Sequence, residues 1–175
     1  RGSDTLTHAS FRDLPRFLNS GDLLVLNDTR VVPARVYGRR TTGGKIEALF
    51  LRETGPGLWE ALLRCNGSPR EGERIAFEGR LRVRLLNRGE RGTWTVAVPR
   101  GNLADTLDRI GHAPLPPYIH RSPDDARAPM DRQRYQTIYA AHPGAVAAPS
   151  AGLHFTPELF RALDEKGVGR TFVTL

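Results

Sequence analysis

The sequence predicts a mixed α/β (α+β) fold. An α/β main domain at residues 1–40 and 100–175 is interrupted by a small inserted antiparallel β-barrel domain at 41–99. Three observations lead there. Between 41 and 99, short apolar runs alternate with Gly- and Pro-rich turns, the pattern of a small closed barrel. On either side of that zone, capped helices are interleaved with apolar strands. The chain has 175 residues, 39% of them hydrophobic, enough for one buried core and a small companion.

In chain order, Ser10 caps a short helix whose Phe11, Leu14, Phe17 and Leu18 share a face. Pro15 falls in its first turns, where a missing N–H costs least. Gly21 ends it. Asp22 to Leu26 reads as a buried strand, and Asn27-Asp28-Thr29 as a turn. A strand from Arg30 to Tyr37 then carries Pro33, which suggests an edge or a bulge. Five barrel strands follow at Lys45–Arg52, Leu58–Arg64, Glu73–Phe77, Leu81–Leu86 and Thr93–Val98. Asn102 caps a helix with Leu103, Leu107 and Ile110 on one side, stopped by Gly111. Residues 112–150 read as a long irregular segment of the kind that carries function. Thr156 caps a last helix with Pro157 in its first position, Gly167 ends it, and Val168 to Leu175 is a strand. The sequence stops inside that strand and reads as cut.

Composition excludes several classes. No apolar run approaches the roughly 20 residues of a membrane span. Arg1-Gly2-Ser3-Asp4 lead into no apolar signal core. The single Cys65 rules out an internal disulfide framework and a multi-cysteine zinc site, and fits a reducing cytosol. The five histidines are scattered without i,i+4 partners, so no metal site is expected. Phosphate-binding glycine loops and the serine-hydrolase elbow are absent. The formal net charge is +7, and only Lys45 and Lys166 are lysines. That arginine excess suits a phosphate-rich partner, or a solvated surface with an arginine bias.

Three segments are dense in unusual residues. The first, Asn27 to Arg35, is a polar turn with Arg30 and Arg35 between buried strands. The second, Gly111 to Ile119, is a stiff proline-rich stretch with Tyr118 near its end, a ring able to stack on a base. The third runs through Tyr135 and Tyr139 to the small-residue loop Pro143–Phe155. There Ala148, Pro149, Ser150 and Gly152 allow close backbone approach to a ligand. His154 stands just before the Thr156-capped helix, in a place for acid–base work near neutral pH. Each segment also has a purely structural reading: a turn, a packed crossover, a satisfied histidine. In the barrel zone, Arg80, Arg82 and Arg84 alternate with apolar residues and so share one strand face. That face could meet an RNA backbone or simply be solvated.

Taken together, GDLLVLNDTRVVPARVYGRR (21–40), GGKIEALFL (43–51), IGHAPLPPYI (110–119), DRQRYQTIYA (131–140) and PGAVAAPSAGLHFTPELF (143–160) make the chain similar to one family. It resembles the S-adenosylmethionine:tRNA ribosyltransferase-isomerases of queuosine biosynthesis. The resemblance spans nearly the whole chain. Ser150 stands where a threonine is expected, and the hydroxyl is kept. The family pattern also has a stretch before the part matching Arg1 and a large part beyond Leu175.

The resemblance implies an enzyme that transfers and isomerises the ribosyl moiety of S-adenosylmethionine onto 7-aminomethyl-7-deazaguanine at a tRNA wobble position. Epoxyqueuosine-tRNA forms, and adenine and methionine leave. S-adenosylmethionine is then a consumed co-substrate, and no further cofactor is expected. The implied partner is tRNA carrying the modified base, with no membrane; the implied setting is a cytoplasmic monomer. In that reaction His154 is the first choice for acid–base work. Tyr118, Tyr135 and Tyr139 are candidates to stack on adenine or the modified base. Arg30, Arg35 and Arg134 are candidates to hold the methionine carboxylate or an RNA phosphate. A non-catalytic RNA-binding barrel module is the rival reading.

Overall fold

A computed structural model describes residues 6–99 and 101–175; Arg1-Gly2-Ser3-Asp4 lie outside the described residues. The fold is mixed α+β: an antiparallel barrel, a parallel strand pair and short helices. Two compact units divide it. One comprises residues 31–135 with 143–147; the other comprises 1–30, 136–142 and 148–175.

The barrel dominates the first unit. Its strands are β3 (Arg35–Arg40), β4 (Lys45–Gly55), β5 (Leu58–Cys65), β6 (Arg74–Phe77), β7 (Arg82–Arg88) and β8 (Thr93–Ala97). They close in the order β3-β4-β5-β8-β7-β6. The alternation read from the sequence is visible in the burial. On β7, Val83 and Leu85 are buried and Arg82 and Arg84 exposed. Val36, Ile46, Phe50, Ala61, Ile75 and Val96 fill the interior. The larger of these side chains contribute roughly 1.5–3 kcal/mol each on full burial.

The strands therefore number six where the spacing predicted five, and they begin before residue 41. The expected strand Arg30–Tyr37 is split. It forms β2 (Thr29–Val31) and β3, with a break at Val32-Pro33-Ala34. Pro33 has no N–H for a ladder, and the chain uses it to leave one strand and enter the next. Helix α1 (Leu103–Ile110) is capped as expected, with the Asn102 Oδ1 accepting from Ala104 and Asp105 N–H. Its Leu103 and Leu107 join the barrel core. The segment expected to be irregular contains α2 (Ala128–Arg134) and β9 (His142–Ala145). Pro129 stands in the first turn of α2, where a proline opens a helix rather than breaking it.

The second unit is built on β1 (Leu23–Asn27) and β10 (Gly169–Val173), paired in parallel from Leu23↔Gly169 to Asn27↔Val173. Helix α3 (Pro157–Glu165) packs Leu159, Phe160 and Leu163 with Leu26, Phe155 and Val168. Thr156 caps it, its hydroxyl accepting from Leu159 N–H at 3.2 Å. The expected first helix is a 3-10 helix, Phe11–Phe17, rather than an α-helix. Pro15 cannot donate to the carbonyl four residues back, which weakens the α pattern over so short a run.

Candidate active site

The barrel unit brings two of the sequence segments together. Arg35 and His112 exchange backbone hydrogen bonds, Arg35 N–H to His112 O at 3.3 Å and His112 N–H to Arg35 O at 2.8 Å. Gly111 makes the approach possible. A Cβ there would lie 1.7 Å from the Pro33 carbonyl oxygen, so no larger residue fits. Strand β3 and the Pro114–Pro117 stretch are thus locked side by side.

The Arg35 side chain completes the lock. Its Nη2 donates to Leu115 O at 3.0 Å, and its Nε lies 3.2 Å from Glu47 Oε1. Nε is nevertheless buried without a hydrogen bond. The Arg35 charge is thus met by the Glu47 carboxylate, with Nε poorly aligned for a hydrogen bond, and the guanidinium is held rigidly in place. Arg35, Tyr37, Glu47, Pro117, Ile119 and Arg121 border a cavity of about 240 Å³. Burial pushes the Tyr37 hydroxyl above its ordinary pKa; Glu47 adds to the shift and Arg35 opposes it. Next to this, His112 Nε2 is 3.0 Å from Glu78 Oε2, and its ring meets Tyr37 edge-on at 5.0 Å. A second cavity, about 700 Å³, is lined by Tyr37, Glu47, Arg64 and Glu78 among others.

Paired charges brace the segment that carries Arg121. Arg121 donates to both Asp131 oxygens, at 2.6 and 3.1 Å, and that carboxylate raises the Arg121 pKa. Arg127 grips Asp125 and keeps its carboxyl well below the usual range. Of the other predicted residues in this unit, Tyr118 is 78% exposed. Tyr135 closes α2, its N–H donating to Asp131 O at 2.9 Å, and Arg134 is exposed.

The second unit holds the remaining candidates. Arg30 is exposed. Ala148 and Pro149 are half-buried, and Ser150 opens a 3-10 helix that ends at His154. Gly152 within it is buried so tightly that a Cβ would fall 2.3 Å from the Tyr139 hydroxyl oxygen. Tyr139 packs against Phe155, Phe160 and Phe172, and burial raises its pKa. It contributes to the core of this unit. His154 is exposed, with its ring 5.3 Å from that of Phe11.

Sequence reading passes over Asp28. It is buried at the carboxyl end of the parallel strand β1, where open α/β sheets place ligands. Its Oδ1 accepts from the Thr174 hydroxyl at 2.7 Å, and Oδ2 is 3.7 Å from His142 Nε2. Tyr37, Glu47, His112 and Glu78 are missed as well. Tyr37 and Glu47 follow Arg35 and Lys45 at period two, which is a usable signal. The His112–Glu78 contact spans 34 residues and has none. Among the described residues no group of three or more His, Cys, Asp or Glu could hold a metal ion. Nor is any helix there long and apolar enough to cross a membrane.

A family model described as queuosine biosynthesis protein matches residues 1–175. An S-adenosylmethionine:tRNA ribosyltransferase-isomerase of Anaeromyxobacter sp. is 47% identical over 173 residues, covering 96% of this chain and 49% of that protein. The enzyme of the same name from Thermus thermophilus is 44% identical over 182 residues, covering 99% and 50%. A solved S-adenosylmethionine tRNA ribosyltransferase of Thermotoga maritima is 28% identical with a TM-score of 0.40, covering 94% of this chain and 44% of that one. The chain spans about half the length of the curated relatives it matches.

Proposed function

The chain belongs to the queuosine biosynthesis protein family, and on that premise we propose that it is part of an S-adenosylmethionine:tRNA ribosyltransferase-isomerase. The proposed reaction moves the ribosyl moiety of S-adenosylmethionine to 7-aminomethyl-7-deazaguanine at the tRNA wobble position and isomerises it. Adenine and methionine leave, and epoxyqueuosine-tRNA remains. S-adenosylmethionine is consumed, so no separate cofactor takes part, and the protein works as a cytoplasmic monomer. The barrel domain (41–99) is an insertion in an α/β main domain formed by residues 1–40 and 100–175; the second unit, split into 1–30, 136–142 and 148–175, supports an insertion, while residues 31–40 and 101–135 group with the barrel.

The observation that carries the reading is the cavity bordered by Arg35, Tyr37, Glu47 and Arg121, with the Arg35 guanidinium held fixed at its wall by Leu115 O and Glu47. The methionine end of S-adenosylmethionine supplies a carboxylate to which such a donor would bond. Arg30 and Arg134, both exposed, are assigned to RNA phosphate or the same carboxylate. Tyr118 and Tyr135 are assigned to stacking; Tyr139 is assigned with them, its ring partly engaged by Phe155, Phe160 and Phe172. Ala148, Pro149, Ser150 and Gly152 are assigned to close backbone approach of the ligand, with the space beside Gly152 itself filled by the Tyr139 hydroxyl. His154, exposed at the end of its 3-10 helix, takes the acid–base role. The chemistry requires loss of a proton from the ribosyl carbon next to the sulfonium, assistance to the departing adenine and uptake of the aminomethyl proton.

The test is incubation of the chain, and of the full-length protein, with S-adenosylmethionine and tRNA bearing the aminomethyl base. Adenine release together with modified tRNA is the expected outcome. RNA binding with no adenine from the full-length protein would replace this reading with that of a non-catalytic RNA-binding barrel.

A further inference from the structure

The outer face of the barrel carries cations where a sheet normally alternates charge. Across neighbouring strands, Lys45 of β4 stands opposite Arg39 of β3, Arg39 opposite Ala76 of β6, and Ala76 opposite Arg82 of β7. In the next row Arg74 faces Arg84, which faces Ala97. Like charges directly opposite each other are destabilising. The pattern is therefore a cost to folding unless something else meets it.

The described residues do not supply that counter-charge. Among the described residues, Lys45, Arg39, Arg74, Arg82 and Arg84 make no ion pair. The carboxylates nearest in sequence are already engaged: Glu47 with Arg35 at 3.2 Å, Glu73 with Arg40 at 2.8 Å, and Glu78 with His112 at 3.0 Å. Between the arginines, Ala76, Ala97 and Val98 keep the floor low, and the result is a concave site of about 610 Å³. Arg82 and Arg84 are two residues apart on one strand, so their stems are about 6.8 Å apart. Arg80, expected on this face, is not there. It lies in the 3-10 turn Glu78–Arg80 at φ 65°, outside β7.

We propose that this barrel face, formed by Arg39, Arg74, Arg82 and Arg84 with Lys45 at its margin, binds the phosphodiester backbone of the RNA substrate. The assignment of RNA as the partner rests on the function proposed above. The chemistry fits a repeated, sequence-independent anion: several exposed guanidinium groups on one face for phosphate oxygens, a floor of Ala76, Ala97 and Val98, and, among the described residues, no carboxylate paired with them; Arg39 Nη1 donates only to the Gly43 carbonyl, at 3.3 Å. The residues read no base. They hold the RNA while other groups identify its modified nucleotide.

The experiment measures affinity of the 175-residue chain for an unmodified tRNA as a function of salt. The variants are Arg82→Gln/Arg84→Gln, the same pair with Arg74→Gln, Arg84→Lys, and Arg161→Gln on α3 as a control. Each lost phosphate contact lowers the slope of log affinity against log salt by about 0.7–0.9, and the double variant should bind roughly tenfold or more weakly at low salt. Arg84→Lys should keep the slope, since the charge remains. Thermal midpoints of the glutamine variants should equal or exceed the parent's, because cross-strand repulsion is relieved; this also shows that they fold. Unchanged affinity and slope in the glutamine variants would overturn the proposal. So would an equal loss in Arg161→Gln, or tighter binding to poly-glutamate than to RNA. Adenine release is measured on the same variants in the full-length protein. Its absence throughout, with the slope change present, removes the enzymatic reading and leaves the RNA face. Its presence with an unchanged slope removes the RNA face alone.

Discussion

Arg35 and His154 are held in opposite ways. Arg35 is fixed from three directions: a strand backbone, the Leu115 carbonyl and the Glu47 carboxylate. Each contact restricts its guanidinium before any ligand arrives. His154 ends a short 3-10 helix in the open, and its ring meets that of Phe11. The difference teaches that the two residues should fail differently. Loss of a preorganised group damages both binding and structure. Loss of an exposed proton carrier damages only the chemical step.

The sharpest way to break this comparison is His154→Ala. Turnover should fall by about 100-fold or more, while the thermal midpoint stays at the parent value. Adenine release and a melting curve on the same preparation check both halves. A similar turnover in the two proteins would remove the acid–base role. Arg35→Ala comes next. A charged hydrogen bond of this kind is worth about 1.5–3 kcal/mol, so kcat/KM for S-adenosylmethionine should fall roughly 10- to 100-fold, mostly through KM. Arg35→Lys should not restore it, because a compact ammonium lacks the planar fork whose separate nitrogens reach Leu115 O and a carboxylate.

Gly111→Ala tests whether the lock around Arg35 is structural. Its Cβ would be forced into the Pro33 carbonyl, and overpacking of this kind costs about 1–3 kcal/mol. The urea midpoint should drop and the KM for S-adenosylmethionine should rise with it. A variant with the parent's midpoint would show that the crossover yields.

The smallest expected effect concerns a pair at the end of the barrel. The Arg40 guanidinium holds the Glu73 carboxyl below its ordinary value of 4.5. Since the folded pKa is the lower one, the unfolded chain binds the proton first. The pair's contribution is therefore complete above about pH 4.5 and lost as pH falls through the depressed folded value. Glu73→Gln should be less stable than the parent at neutral pH, and the gap should close in acid. A gap independent of pH would assign Glu73 a packing role instead.

Much of the fold is legible in the residues. The caps Asn102 and Thr156, the stop at Gly111 and the alternation on β7 are local signals, written within a few positions of one another. The sixth barrel strand is not. Arg35–Arg40 reads as a continuation of the preceding strand, and only pairing with both β4 and β6 makes it part of the barrel. Helix α2 is hidden because seven residues rich in charge and opened by proline give almost no apolar periodicity.

The same division runs through the functional residues. Short segments in a fixed order are enough to identify the family, because each motif is contiguous. The period-two spacing of Arg82 and Arg84 likewise marks a charged face within a single strand. What the sequence could not contain is the meeting of Arg35 with Leu115 and Glu47, of His112 with Glu78, or of Arg74 with Arg84. Those pairs are joined by strand register and by a loop crossing, which depend on every residue packed in between. Composition and spacing therefore determined the elements, the family and the sign of the charge. Tertiary structure alone decided which arginines are neutralised and which remain open to an anion.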